Sequence, residues 1–158
     1  DGGLDPEGLP SMAVLRSSYL NASYQTGLDN PLDEAIVSSA RKAGLEIGSE
    51  RKVDEIPYDF VRKRLSVITE DALGGRTLIT KGALDGILSV CSSVQAGEGS
   101  IPLDAAIRAG IDRESRIVNS AFAARTRSSE VPFRRRSIKI GTLAVPIRAS
   151  ASAAMALT

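Results

Sequence analysis

Few residues in this chain are equipped for covalent chemistry. It has no histidine and a single cysteine, Cys91. That excludes a histidine-based triad, a Cys/His zinc site and an internal disulfide. Serines are plentiful, but no base accompanies them in a recognisable arrangement. The phosphate-cradling Gly-x-x-x-x-Gly-Lys-Ser/Thr loop is missing, since Gly82 follows Lys81 instead of preceding it. No Gly-x-Gly-x-x-Gly follows a strand. Carboxylates occur as neighbours, Asp33/Glu34, Asp54/Glu55 and Glu70/Asp71, and solvated surface charge is the plain reading of each pair. Catalysis by this chain alone is not expected. Three clusters remain: Gln25-Thr26-Gly27-Leu28-Asp29-Asn30-Pro31-Leu32-Asp33-Glu34-Ala35-Ile36, then Asp54-Glu55-Ile56-Pro57-Tyr58-Asp59-Phe60 continuing through Arg62-Lys63-Arg64-Leu65-Ser66-Val67, and Lys81-Gly82-Ala83.

The elements that must position these clusters follow from periodicity. Leu9, Met12, Leu15, Tyr19 and Leu20 recur at helical spacing within residues 6–23, with Gly8 and Pro10 delaying the start. After a turn at 26–30, Asn30 is a natural N-cap, Pro31 suits N1 and Asp33 falls at N3. Leu32, Ala35, Ile36, Ser39, Ala40 and Ala43 make the expected buried stripe of that second helix, and Gly44 ends it at C′. Residues 53–60 and 65–69 read as strands. If the first is extended, Ile56, Tyr58 and Phe60 share a face, and Pro57 suits an edge or a bulge. Residues 65–69 and 77–80 form a hairpin about Leu73-Gly74-Gly75-Arg76. Lys81-Gly82 then leads into a helix over 83–94, with Leu84, Ile87, Leu88 and Cys91 on one face. A Gly-rich turn at 96–100 precedes a last helix over 104–115. Helices, then strands, then helices predict an α+β domain, an antiparallel sheet flanked by helices.

Composition sets the boundaries. At 158 residues, 42% hydrophobic and 25% charged, the chain can build one real core. Its longest charge-free stretches are 12 residues, well short of the ~20 that a membrane helix needs. No signal peptide is visible at Asp1-Gly2-Gly3, and a start without Met reads as a cut from something longer. The net charge of +1 conceals a division: residues 116–158 hold eight basic residues and one acid, Glu130. The expected domain therefore covers 1–115. Residues 116–158 form a basic Ala/Ser/Arg-rich tail, read as loosely attached or disordered apart from one candidate strand within 137–147.

In order and spacing, the three clusters resemble the nucleotide-binding domain of the P-type ATPases, with wording most like the magnesium-transporting subclass. The resemblance spans about residues 4–115. It implies that Tyr58 stacks on adenine, with Phe60 as a rival on the same face, that Lys63 lies near the nucleotide, and that Leu65 touches the base. Lys81 would line the pocket floor, with Gly82 and Ala83 allowing close approach. Asp33, shorter than the usual Glu, would accept from the adenine amino group. The implied ligand is ATP, as Mg-ATP, and the implied partners are the phosphorylation and actuator domains of a parent pump. The setting would be the cytoplasmic side of a cell (inner) membrane, with no nucleic acid, no direct membrane contact and a monomeric state. The family's phosphorylatable Asp-Lys-Thr-Gly-Thr element is absent from this sequence, so nucleotide binding without hydrolysis is expected. Residues 116–158 do not resemble the family's return to its phosphorylation domain, and the charge jump there suggests a frame-shifted, truncated or diverged gene end.

The residue types suit the ligand independently. Base–aromatic stacking contributes ~1–3 kcal/mol, lysines act on phosphates as point charges, and glycine lets backbone approach a ligand. Plainer readings stand beside these. Tyr58 or Phe60 can be core aromatics, Lys63 a solvated turn cation, Lys81-Gly82 a strand-to-helix turn, and Cys91 a small buried hydrophobe. Arg134-Arg135-Arg136 lacks the interleaved aromatics of a nucleic-acid site. The rival functions are a non-catalytic remnant that serves as an interaction module and, beyond it, an anionic-polymer binder acting through the tail.

Overall fold

A computed structural model describes residues 3–27, 30–96, 99–113 and 140–147, the last eight as backbone. Helix α1 (Met12–Tyr24) begins where the Ser11 hydroxyl accepts from the Val14 N–H. It starts later than the hydrophobic spacing predicts, and Leu9 and Met12 are exposed. Ahead of it the chain is looped: Gly8 takes a positive φ, Leu4 bridges to Pro10, and the Asp5 carboxylate accepts from the Glu7 and Leu9 N–H groups.

Helix α2 (Pro31–Lys42) follows the expected capping. The Asn30 side chain accepts from the Leu32 N–H, Pro31 opens the helix, and Asp33 and Glu34 lie at its positive end. Gly44 ends it with φ 75°. The buried face is rotated from the predicted one. Asp33 and Ala40 are buried and Val37 packs into the core, while Ala35 and Ala43 are exposed.

Strands β1 (Arg51–Asp59), β2 (Arg64–Glu70), β3 (Arg76–Ala83) and β6 (Ile140–Ile147) form one antiparallel sheet in the order β1-β2-β3-β6. The β2–β3 hairpin is as expected. Its turn is held by the Asp71 carboxylate, which accepts from the Leu73 and Gly75 N–H groups at 2.8 Å each. The strand foreseen within 137–147 is β6, which pairs with β3 from Arg76 to Ala83. The rest of the segment set apart as a tail lies outside the described residues.

The helix expected over 83–94 is shorter. Helix α3 (Leu84–Leu88) stops after five residues, and the chain turns into a small hairpin of β4 (Ser93–Ala96) and β5 (Gly99–Pro102). Gly86 and the run Ser89-Val90-Cys91-Ser92-Ser93 explain the stop, since glycine, serine and β-branched residues all lower helix propensity. Cys91 is half-buried and its thiol donates to the Ile87 carbonyl. Residues 105–113 are helical, with the Asp104 carboxylate accepting from the Ile107 N–H at 2.8 Å.

α1 lies against one face of the sheet, and α2 packs on α1 and reaches the sheet through Asp33. Leu15, Tyr19 and Ala40 form one buried cluster and Leu20, Val67 and Ile79 another, with Ile47 packed against both. Val67 and Ile79 are directly opposite on β2 and β3 and almost fully buried. Each contributes ~1.5–3 kcal/mol by burial. Asn21, also fully buried, donates from its side-chain amide to the Ile79 carbonyl at 2.8 Å, tying α1 to the sheet.

Candidate functional site

Directly opposed residues in an antiparallel pair share a face. Leu65 is opposite Lys81, on the helix-covered side with Val67 and Ile79. Across the β1–β2 pair, Ile56 opposes Ser66 and Asp59 opposes Arg64, so Pro57 and Tyr58 together face the single residue Leu65. This is a bulge, the device that re-aims a side chain on an edge strand. It corrects the simple alternation, which put Ile56, Tyr58 and Phe60 on one face. A row Tyr58–Leu65–Lys81 therefore crosses three strands at one end of the sheet.

Phe60 lies beyond the end of β1 and is 86% exposed, whereas Tyr58 is 47% exposed. Their rings meet edge to face, with centroids 5.2 Å apart, a favourable arrangement. Neither ring is a core aromatic. The tip is held together by the Asp59 carboxylate, which accepts from the Val61 and Arg62 N–H groups at 2.8 Å each and from the Arg62 guanidinium at 2.7 Å. The Arg62 N–H and guanidinium hold the Asp59 carboxyl below its usual range.

Lys63 completes the turn in a left-handed conformation, φ 52°. Its N–H donates to the Asp59 carbonyl at 2.6 Å, and its own carbonyl accepts from the Ala83 N–H at 3.1 Å. Lys63, Gly82 and Ala83 are thus brought together. A Cβ on Gly82 would strike the Lys63 carbonyl and come within 2.7 Å of the Arg64 Cβ, so this position requires glycine.

Asp33 is the largest departure from the sequence reading of surface carboxylates. It is 6% exposed and forms an ion pair with Lys81, itself 5% exposed. The Gln25 side-chain amide donates to the other Asp33 oxygen at 3.1 Å. Sequence reasoning missed Gln25 as a site residue, although it stands within the first cluster. It also missed Glu55, which accepts from the Thr26 N–H, the Thr26 hydroxyl and, at 2.5 Å, the Lys52 ammonium. Lys52 and Thr26 hold the Glu55 carboxyl below the usual glutamate range. Position alone carries no signal for such contacts between distant segments.

Along the row exposure falls from the half-exposed Tyr58 to the buried Lys81. Two clefts of about 290 and 210 Å³ lie elsewhere, one lined by Tyr19, Arg41, Leu45 and Ile47, the other by Arg16, Glu50, Thr69 and Asp71. Among the described residues no group of three or more acidic or cysteine side chains is placed to hold a metal ion, and no helix is long and apolar enough to cross a membrane.

The four-stranded antiparallel sheet, covered by α1 with α2 packed on that helix, carries its Lys-Gly-Ala element on the strand next to the bulged β1–β2 pair. Residues 11–121 match the family described as P-type ATPase, cytoplasmic domain N, and the chain belongs to it. Relatives include the magnesium-transporting ATPase, P-type 1, of Escherichia coli K12, 42% identical over 102 residues. The protein of that name from Salmonella typhimurium LT2 is 41% identical over 102 residues. Each of these alignments covers 63% of this chain and 11% of the relative. A calcium-transporting ATPase of Bacillus subtilis 168 is 33% identical over 69 residues, covering 41% of this chain and 8% of the relative. The chain thus spans about a tenth of the length of the transporters it matches.

Proposed function

We propose that this chain binds Mg-ATP and serves as the nucleotide-presenting module of a cation-transporting, magnesium-translocating P-type ATPase, on the cytoplasmic side of a cell membrane. The observation that carries the reading is the row Tyr58–Leu65–Lys81, flanked by the exposed Phe60 ring and the Lys63 turn. Two aromatic rings set at 84° to one another offer a purine one face and one edge. The more exposed Phe60 shares the stacking role with Tyr58, and Leu65 supplies apolar contact. Lys63 is free in solvent to meet phosphate oxygens, while Lys81, its charge taken up by Asp33, lines the floor from beneath, with Gly82 and Ala83 leaving the backbone close to the ligand. The module's contribution to phosphoryl transfer is positioning, delivering the γ-phosphate to an aspartate on a partner domain. Affinity on the order of 1 mM, about −4 kcal/mol, suits a site whose aromatic rings stand largely in solvent.

Amide-resolved NMR titration with ATP tests this. Shifts clustered at 58–65 and 81–83, and weakened by roughly tenfold in Tyr58→Ala or Phe60→Ala, are the expected result. A dispersed spectrum indifferent to millimolar ATP would sink the proposal. It would favour the second reading, an interaction module without nucleotide, for which the almost fully exposed Phe60-Val61 tip is the supporting feature.

A further inference from the structure

The carboxylate expected to read the base is already engaged. One Asp33 oxygen is paired with the Lys81 ammonium and the other accepts from Gln25, and the residue is 6% exposed. Little of it remains to face a ligand. Gln25 is different. An ionised carboxylate only accepts hydrogen bonds, so the Gln25 amide nitrogen must be the atom facing Asp33. Its carbonyl oxygen is thereby turned the other way. That oxygen lies over Gly27, where an added Cβ would approach it to 2.8 Å. The neighbouring residue fixes the loop from the other side, because Thr26 donates twice to Glu55 on β1, three residues before Tyr58. The Gln25 carboxamide is therefore oriented from both ends: its nitrogen is on Asp33, which pairs with Lys81 at the end of the row, and its oxygen is on the Gly27 side, in the loop that Thr26 ties to β1.

We propose that Gln25 is the base-specificity residue of this site: its side-chain oxygen accepts from the exocyclic 6-amino group of adenine, with Asp33 as the positioning residue that sets which way the carboxamide points. A guanine would present its O6 acceptor to the Gln25 acceptor, and a purine bearing no 6-substituent would leave that acceptor unpaired. This inference rests on the nucleotide reading above and adds to it the atom that selects the base.

The test titrates the whole chain with ATP, GTP and purine ribonucleoside triphosphate, which is ATP without its 6-amino group. Wild type is expected to favour ATP over the other two by about fivefold, the worth of one hydrogen bond. In Gln25→Met, which keeps the stem length, ATP should lose its advantage over the amine-free analogue, whose own affinity should not fall. A purely structural Gln25 would weaken all three ligands together, and that result overturns the proposal. Equal affinity of the wild-type chain for ATP and the amine-free analogue overturns it as well, with no variant needed, and leaves the nucleotide reading intact. A wild-type chain that binds none of the three removes both.

Discussion

Lys81 and Asp33 form an ion pair in which each partner is about 95% buried, joining the third strand of the sheet to the first turn of the second helix. The attraction between them offsets the cost of taking two charges out of water, and the gain is geometric, since it clamps α2 to the end of the sheet that carries the candidate site. Removing one partner strands the other. Asp33→Ala is expected to lower unfolding stability by about 3–5 kcal/mol. Asp33→Leu combined with Lys81→Met should recover most of that loss. Urea unfolding of the two variants beside the wild type checks it, and equal loss in the single and double variants would contradict the pairing.

Gly82 has Lys63 and Arg64 where a side chain would stand. Gly82→Ala is expected to destabilise by about 1–3 kcal/mol through overpacking and to broaden the amide signals of Lys63 and Ala83, which share a backbone hydrogen bond. A thermal melt and one correlation spectrum suffice.

Lys63 adopts a left-handed backbone, which costs a residue with a side chain ~1–2 kcal/mol. Lys63→Gly should therefore stabilise the fold, or at worst leave it unchanged after the flexibility gained by the unfolded chain, while weakening ATP binding. Opposite signs in the two measurements would separate a lysine kept for its charge from one kept for structure.

Acid sensitivity has a named source. Arg16 holds the Glu50 carboxyl below the usual glutamate range through its hydrogen bond and charge, with burial opposing. Because the folded value lies below the unfolded one, near 4.3, the stabilisation is complete above that pH. It is lost as pH falls through the lowered folded value. Urea midpoints should drop between about pH 5 and pH 3, and Arg16→Met should shallow that drop without abolishing it, since Glu55, Asp59 and Glu70 are also held low by their partners.

Local chemistry made much of the architecture readable in advance. The Asn30 cap, Pro31, the Gly44 stop and the β2–β3 hairpin are set by neighbouring residues, and each stands where the sequence placed it. What escaped depends on distant partners. The bulge at Pro57-Tyr58 arises from the register against β2, and α2 rotates so that Asp33 meets a lysine 48 residues away. The overlong α3 followed from apolar spacing alone, which cannot separate a short helix from the β-hairpin after it. The three clusters at the site were visible as residue types. Their assembly into one row was not, because it requires knowing which strands are neighbours.

β3 carries Lys81 and Gly82, yet it becomes an interior strand only when β6, from residues 140–147, pairs along its outer edge. A chain emerging from the ribosome presents β1, β2 and β3 well before that partner is available. Until then the strand that carries Lys81 is an open edge, exposed to mispairing, and its completion must await pairing between segments distant in sequence. Assembly of this site is therefore timed by the far end of the chain, so a stall in synthesis before residue 140 would leave a domain with its aromatic tip formed and its lysine strand unguarded.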